Sequence, residues 1–431
     1  MQRILDPAQI EAFAERSIPR VRLPDPAGFG QRAERLRFLA SNHSLREYLL
    51  LMAAVADAQQ LQFDSLRAAL AAEGFAEQIG KQLELAQAHG MPLLQAAGWP
   101  RQDRWRHILR DICGAVAATH TERAATAGSG GVAGSGGIAG SGGVAGSGGI
   151  AGSGGIAGSG GIAGSGGIAG SGGIAGSGGI AGAIATAGAG VTADASSTAR
   201  GRASIGAHMS GDSPAADPSV RADVGGRAAP DPSAPAPRFP PAVYALCERI
   251  IAAPDADLDA QADRLIAGRA EGVDGQAAPF VMAALQVYWS AMANTLRVTD
   301  VAQLDVPTVC PVCGSLPVAS VVRSDKRSPQ GYRYLHCGLC ETEWHMVRIT
   351  CSHCLTTEGI TYNAIEGGSE AVRAETCGKC HTYRKILYQE KDTGVEPVAD
   401  DLASLSLDLL MTEDGFHRGS GNPLLWQTSE T

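Results

Sequence analysis

Cys310-Pro-Val-Cys313, Cys337-Gly-Leu-Cys340, Cys351-Ser-His-Cys354 and Cys377-Gly-Lys-Cys380 set the rhythm of residues 310–380. The first and second knuckles are separated by 23 residues, the third and fourth by 22, and the second and third by only ten. Such near-equality marks one two-knuckle unit used twice, each able to close a four-thiolate metal site. The two-residue gap of a knuckle bends the backbone so that both sulfurs face one ion. Four sulfurs at about 2.3 Å then complete a tetrahedron suited to Zn²⁺ or to rubredoxin-type iron. Sequential pairing follows from the matched spacings: Cys310, Cys313, Cys337 and Cys340 around one ion, and Cys351, Cys354, Cys377 and Cys380 around another. Cross-braced pairing of the first knuckle with the third stays open.

Other uses of the thiols fit less well. Structural disulfides suit an exported chain, but Met1-Gln-Arg-Ile-Leu-Asp-Pro lacks a signal-peptide core, because Asp6 and Pro7 interrupt it. A thioredoxin-like dithiol needs one C-x-x-C opening a helix, not four set among strand-like runs. His336, His345, His353 and His381 lie beside the knuckles. With eight thiolates filling two sites, they read as supporting donors or surface residues. Cys113 and Cys247 sit in apolar helical patterns and read as buried structural thiols. A reducing, cytoplasmic location is the corresponding expectation.

Net charge is −9, which disfavours a general binder of phosphate backbones. Residues 301–392 hold ten Lys/Arg against ten Asp/Glu, so the cysteine-rich part is not a basic nucleic-acid patch. The apolar run from Tyr48 to Ala56 is too short to span a bilayer.

Upstream of the knuckles the chain reads as helices. Asp6-Pro-Ala-Gln9 and Asp25-Pro26 resemble capped starts, and Ser44 with Glu47 forms a capping-box pattern. Phe29, Ala33, Leu36 and Ala40 share one helical face. Further helices are predicted over Phe75–Ala88 and Asp103–Thr119. From Gly128 the chain enters nine G-S-G-G-[V/I]-A hexamers ending at Ala181, followed by an Ala/Ser/Asp/Pro-rich segment. Proline is missing from the hexamers, which argues against collagen, and half-glycine content argues against a helix. The whole tract is expected to be a disordered, low-complexity insertion.

Helical patterning resumes at Pro240-Pro-Ala242, around Leu258–Ala267 and over Pro279–Leu296. The period then changes to two, giving strand-like runs at Tyr332–Cys337, Trp344–Cys351, Ile360–Ile365, Val372–Cys377 and Tyr383–Tyr388. Thr342 and Thr382 take the same offset after their knuckles. Asp400 and Asp401 are read as opening an amphipathic helix through Leu402, Leu405, Leu409 and Leu410. The expected fold class is α+β: a helical N-terminal domain followed by two tandem rubredoxin-like or zinc-ribbon modules, interrupted by the insertion. The expected division is helical domain 1–123, insertion 124–237, helical continuation 238–300, first module 301–343, second module 344–395, and C-terminal helix and tail 396–431.

Several strings resemble the formate dehydrogenase accessory protein family (FdhE): Cys310-Pro-Val-Cys-Gly-Ser, Gly331-Tyr-Arg-Tyr-Leu-His-Cys, Cys340-Glu-Thr-Glu-Trp-His and Ala374-Glu-Thr-Cys. Val398-Ala-Asp-Asp-Leu-Ala-Ser-Leu and Gly421-Asn-Pro-Leu-Leu continue it. Ala284-Leu-Gln-Val-Tyr-Trp and the Ile18–Leu39 region, with Leu23-Pro-Asp-Pro26, are similar too. The likeness covers everything outside the insertion. It implies a cytoplasmic, non-catalytic factor needed for an active molybdenum- or tungsten-dependent formate dehydrogenase, associating with that enzyme's catalytic subunit. It also implies two metal ions per chain, with iron favoured by the family and zinc equally admitted by a four-cysteine set. A homodimer is compatible with it, and no residue contacting a partner carries over. Two other classes compete. A rubredoxin-like redox carrier or sensor requires iron and a reversible potential, whereas a nucleic-acid-binding zinc ribbon is disfavoured by the balanced charge.

Overall fold

The computed structural model describes residues 19–129 (backbone alone for 120–129), 239–301, 304, 306–324 and 331–425. The expected cap at Asp6–Gln9 and the glycine-rich repeats from residue 130 onward lie outside the described residues.

The helical half is built from α1 (Gly28–Leu39), α2 (Arg46–Ala72), the short α3 (Phe75–Gln78) and α4 (Gly80–Ala88), and α5 (Arg104–Ser129). It continues with α6 (Pro241–Ala252), α7 (Asp255–Ile266) and α8 (Ala278–Asn294). Pro241 opens α6 at the position where a missing N–H costs nothing. Asp255 and Asp257 sit in the first turn of α7 and Arg264 in its last, matching the helix dipole. Helix α8 is apolar nearly all round, so it is the core helix, packed on α2, α5 and α7. Its Trp289 is fully buried and donates its indole N–H to the Leu94 carbonyl at 3.2 Å. Cys113 and Cys247 are both buried. No helix among the described residues is long and apolar enough to cross a membrane.

Two helical expectations change in detail. The predicted Phe75–Ala88 helix breaks at Ile79, which leaves helical geometry to bury its side chain. The Ser44/Glu47 capping box does not form. Helix α2 starts at Arg46 without a side-chain cap, and His43 Nδ1 receives the Leu45 amide at 3.0 Å instead.

All strands among the described residues join one sheet: β1 (Val21–Arg22), β2 (Pro317–Arg323), β3 (Tyr332–Cys337), β4 (Glu343–His345), β5 (Ile360–Asn363), β6 (Val372–Cys377), β7 (Thr382–Tyr388) and β8 (His417–Arg418). Their order is β1-β4-β3-β2-β7-β6-β5, with β8 beside β7. The duplication is visible here. Strands β2, β3 and β4 form one antiparallel meander, and β5, β6 and β7 form another. A parallel pairing of β2 with β7 joins them. Strand β1, from the helical half, pairs antiparallel with β4 through Val21–Trp344 and Arg22–Glu343.

In the C-terminal half one strand was missed and two expectations need correction. Strand β2 was not among the predicted runs: its sequence, Pro-Val-Ala-Ser-Val-Val-Arg, is buried on both faces and shows no alternation. The predicted strand Trp344–Cys351 ends at His345, because Val347, Arg348 and Ile349 turn outward as the link between meanders, with Ile349 at φ 59°. The predicted helix from Asp400 is two helices, α9 (Pro397–Leu402) and α10 (Leu405–Glu413). Asp400 and Asp401 are buried inside α9, and Leu409 and Leu410 are exposed. The reason is electrostatic. Asp400 pairs with Arg35, and Asp401 with Arg418 and Lys385, so these acids tie α9 to the fold instead of facing water at a helix start.

Candidate metal centres

Each knuckle is a turn of one design. Cys310 N–H donates to Ser315 O at 2.9 Å, and Cys351 N–H to Thr356 O at 2.8 Å. Gly314 N–H returns to Cys310 O at 2.9 Å, Leu355 N–H to Cys351 O at 3.0 Å, and His381 N–H to Cys377 O at 2.9 Å. The residue after the second cysteine of every knuckle is left-handed: Gly314 (φ 79°), Glu341 (φ 59°), Leu355 (φ 62°) and His381 (φ 54°). Only the first is glycine, so three knuckles hold a conformation that costs an L-residue about 1–2 kcal/mol. Amides point inward: Leu339 and Cys340 N–H donate to Cys337 Sγ, and His353 and Cys354 N–H to Cys351 Sγ, all at 3.4 Å.

These turns bring Cys310, Cys313, Cys337 and Cys340 together, and separately Cys351, Cys354, Cys377 and Cys380. Within each group all four sulfurs lie within 4.8 Å of one another. The Cys310–Cys340 and Cys313–Cys337 separations are 3.5 and 3.4 Å; Cys351–Cys380 and Cys354–Cys377 are both 3.7 Å. A tetrahedron with 2.3 Å metal–sulfur bonds has edges of about 3.8 Å, whereas a disulfide closes at about 2 Å. The spacings therefore fit a coordinated ion. Burial pushes the Cys310, Cys337 and Cys340 thiols well above their ordinary range, so a cation is what would hold them as thiolates.

The neighbouring histidines do not join the sulfur groups. His336 is buried, with Nε2 3.0 Å from Glu341 and Nδ1 3.3 Å from Glu343. Burial alone would lower its pKa, but the two carboxylates raise it to about 9. His345 packs edge-on against Tyr332 and Tyr334, while His353 and His381 are exposed. Thr342 Oγ1 lies 3.2 Å from Cys340 Sγ.

A buried ion-pair junction that sequence reasoning missed lies beside the first cluster. Arg32 of α1 has no solvent exposure. It donates to Glu396 at 2.9 and 3.0 Å and ion-pairs with Glu341. Gln286 of α8 donates to Gly338 O at 3.0 Å and Glu341 at 3.1 Å, and itself accepts from Gln59 at 3.0 Å. Glu343 pairs with Arg22 and Arg323. His336, Glu341 and Glu396 place donor atoms within 4.8 Å, but Arg32 already occupies both carboxylates. The usable signal was compositional: His336, Glu341 and Glu343 crowd one short, otherwise apolar segment.

Comparison with known proteins gives a consistent picture. Family models described as FdhE N-terminal, FdhE central domain and FdhE C-terminal domain match residues 18–129 with 227–305, 309–348, and 349–425. The N-terminal match skips the glycine-rich tract. An FdhE homolog of Cronobacter sakazakii and FdhE of Salmonella paratyphi A are each 48% identical over 183 residues, covering 42% of this chain. The chain spans 59% of the length of those curated relatives. The crystal structure of the FdhE protein from Pseudomonas aeruginosa superposes with TM-score 0.57 at 26% identity, covering 95% of this chain and 99% of that one.

Proposed function

Because the chain belongs to the FdhE family, we propose that it is an accessory factor for formate dehydrogenase maturation that binds the enzyme's catalytic subunit and does not itself oxidise formate. The observation carrying this reading is the closure of both sulfur groups. Four cysteine sulfurs within 4.8 Å fill every position of a tetrahedral ion, leaving none for a substrate. Cys310, Cys313, Cys337 and Cys340 hold one ion, and Cys351, Cys354, Cys377 and Cys380 the other. Such an ion fixes two knuckles to each other and couples its own binding to the folding of the meander. Iron is the favoured occupant and zinc the alternative; metal analysis of protein purified without oxygen distinguishes them. The protein acts in the cytoplasm, before its client is exported or assembled.

A clean deletion strain tests the proposal. It should still make the formate dehydrogenase catalytic subunit but contain little active enzyme, and tagged protein should co-purify with that subunit. Normal formate dehydrogenase activity in the deletion strain, with no paralogue present, would sink the reading.

A further inference from the structure

The two sulfur groups share one backbone plan, but their surroundings differ. In the first, the knuckle tips are Pro311, Val312 and Leu339, all buried, beside the half-buried Gly338. Its four cysteines are no more than 1% exposed. The helical half closes over it: Leu94 N–H donates to Val312 O at 2.7 Å, Ala96 N–H to Cys313 O at 2.9 Å, and Gln286 to Gly338 O at 3.0 Å. In the second, three tip residues, His353, Gly378 and Lys379, are exposed. Cys351 and Cys377 are buried, yet Cys354 and Cys380 are only partly so.

Resting on the two-ion reading above, we infer that the second group is an exchange site for a soft divalent ion, with Cys354 and Cys380 as its labile ligands, while the first keeps its ion. The labile pair takes the second cysteine from each knuckle. Cys351 stays anchored by two amide donors at 3.4 Å, and Cys377 lies in β6. Exchange is a ligand substitution. A thiolate or nitrogen chelator bonds to the ion as the bond to Cys354 or Cys380 breaks, and the released thiolate takes a proton from water. The oxidation state of the metal is unchanged. Opening the first group requires the contacts with the helical half to part; opening the second requires only its solvent-facing tips to move.

The test uses the full chain loaded with zinc to two ions, mixed with excess 4-(2-pyridylazo)resorcinol, with timed iodoacetamide quenching and peptide mapping. Zinc should leave in two phases of one ion each, the first at least about tenfold faster. During the fast phase, modification should appear at Cys354 and Cys380 ahead of any cysteine of the first group. A single phase for both ions, or first modification among Cys310, Cys313, Cys337 and Cys340, would overturn the inference while leaving two sites standing. Fewer than two zinc ions in the loaded chain would overturn the two-site reading itself, and the inference with it.

Discussion

Replacing Arg32 by methionine probes the seam between the helical half and the first cysteine group. The Arg32 side chain is fully buried, and Glu341 and Glu396 are each only 11% exposed. Methionine keeps the apolar stem but leaves two carboxylates facing each other. Glu341 then retains His336 and Gln286, while Glu396 retains the Ala399 N–H at 2.6 Å. Removing one partner of a buried pair costs about 3–5 kcal/mol, more than the pair itself contributes. With a urea dependence of about 2–3 kcal/mol/M, the midpoint of the zinc-loaded protein should fall by roughly 1–2 M. The triple variant Arg32→Met, Glu341→Gln, Glu396→Gln should recover more than half of that loss, because no buried charge is orphaned. Glu341 also sets an acid limit. Burial raises its pKa, but Arg32 and His336 outweigh this and hold it below the ordinary carboxylate range. Its contribution is therefore present above the unfolded value of about 4.3 and lost as pH falls through the lower folded value. A loss under about 1 kcal/mol for Arg32→Met would refute the claim that this junction carries the seam.

Replacing Cys337 and Cys340 together by serine should leave one metal ion per chain, with helical circular dichroism nearly intact; loss of both ions would show that the sites are not independent. Leu355→Gly relieves a left-handed residue that is 43% exposed and should stabilise by about 1 kcal/mol; a lower midpoint in urea would mean that the side chain packs in a way its exposure does not suggest. His336 contributes stability fully below its unfolded pKa of about 6.5 and loses it as pH rises through the folded value of about 9. The stability difference between the native chain and His336→Gln should therefore shrink between those limits, and a constant difference from pH 6 to 10 would count against the ion-pair assignment.

The two cysteine groups were legible because their signal is local and periodic: knuckle spacing alone forecasts which sulfurs meet, and the structure groups them by the same spacings. Helices α6 to α8 were legible for a related reason, since proline starts and apolar runs lie within a few residues of each other. What escaped was either uniform or distant. Strand β2 carries no alternation because both its faces are buried. The Arg32–Glu396 contact joins residues 364 positions apart, and nothing near either one announces the other. Asp400 and Asp401 were misread for that reason. Acids near a helix start normally serve the dipole, but here Arg35 and Arg418, from distant segments, claim them. The strings that carry the family likeness contribute to this same seam: Gln286, Glu341, Glu343 and Asp400 each come from one of them.

The parallel joint between β2 and β7 has a consequence for assembly. It sets the last strand of one meander against the first strand of another, which is a head-to-tail rule that could be repeated without end. The two ends of such a row would be β5 and β4. In this chain the β4 end is stopped by β1, with His345 N–H bonded to Arg20 O at 2.8 Å. Residues 20–22 thus cover the β4 edge, and Pro24 and Pro26 follow at once, blunting the strand. A fragment lacking the N-terminal helical half would leave the β4 edge open as well as β5, and a head-to-tail contact between such edges closes into a ring or runs on as a filament according to the rotation between tiles. In the intact chain the helical half therefore supplies the strand that covers the β4 end of the row.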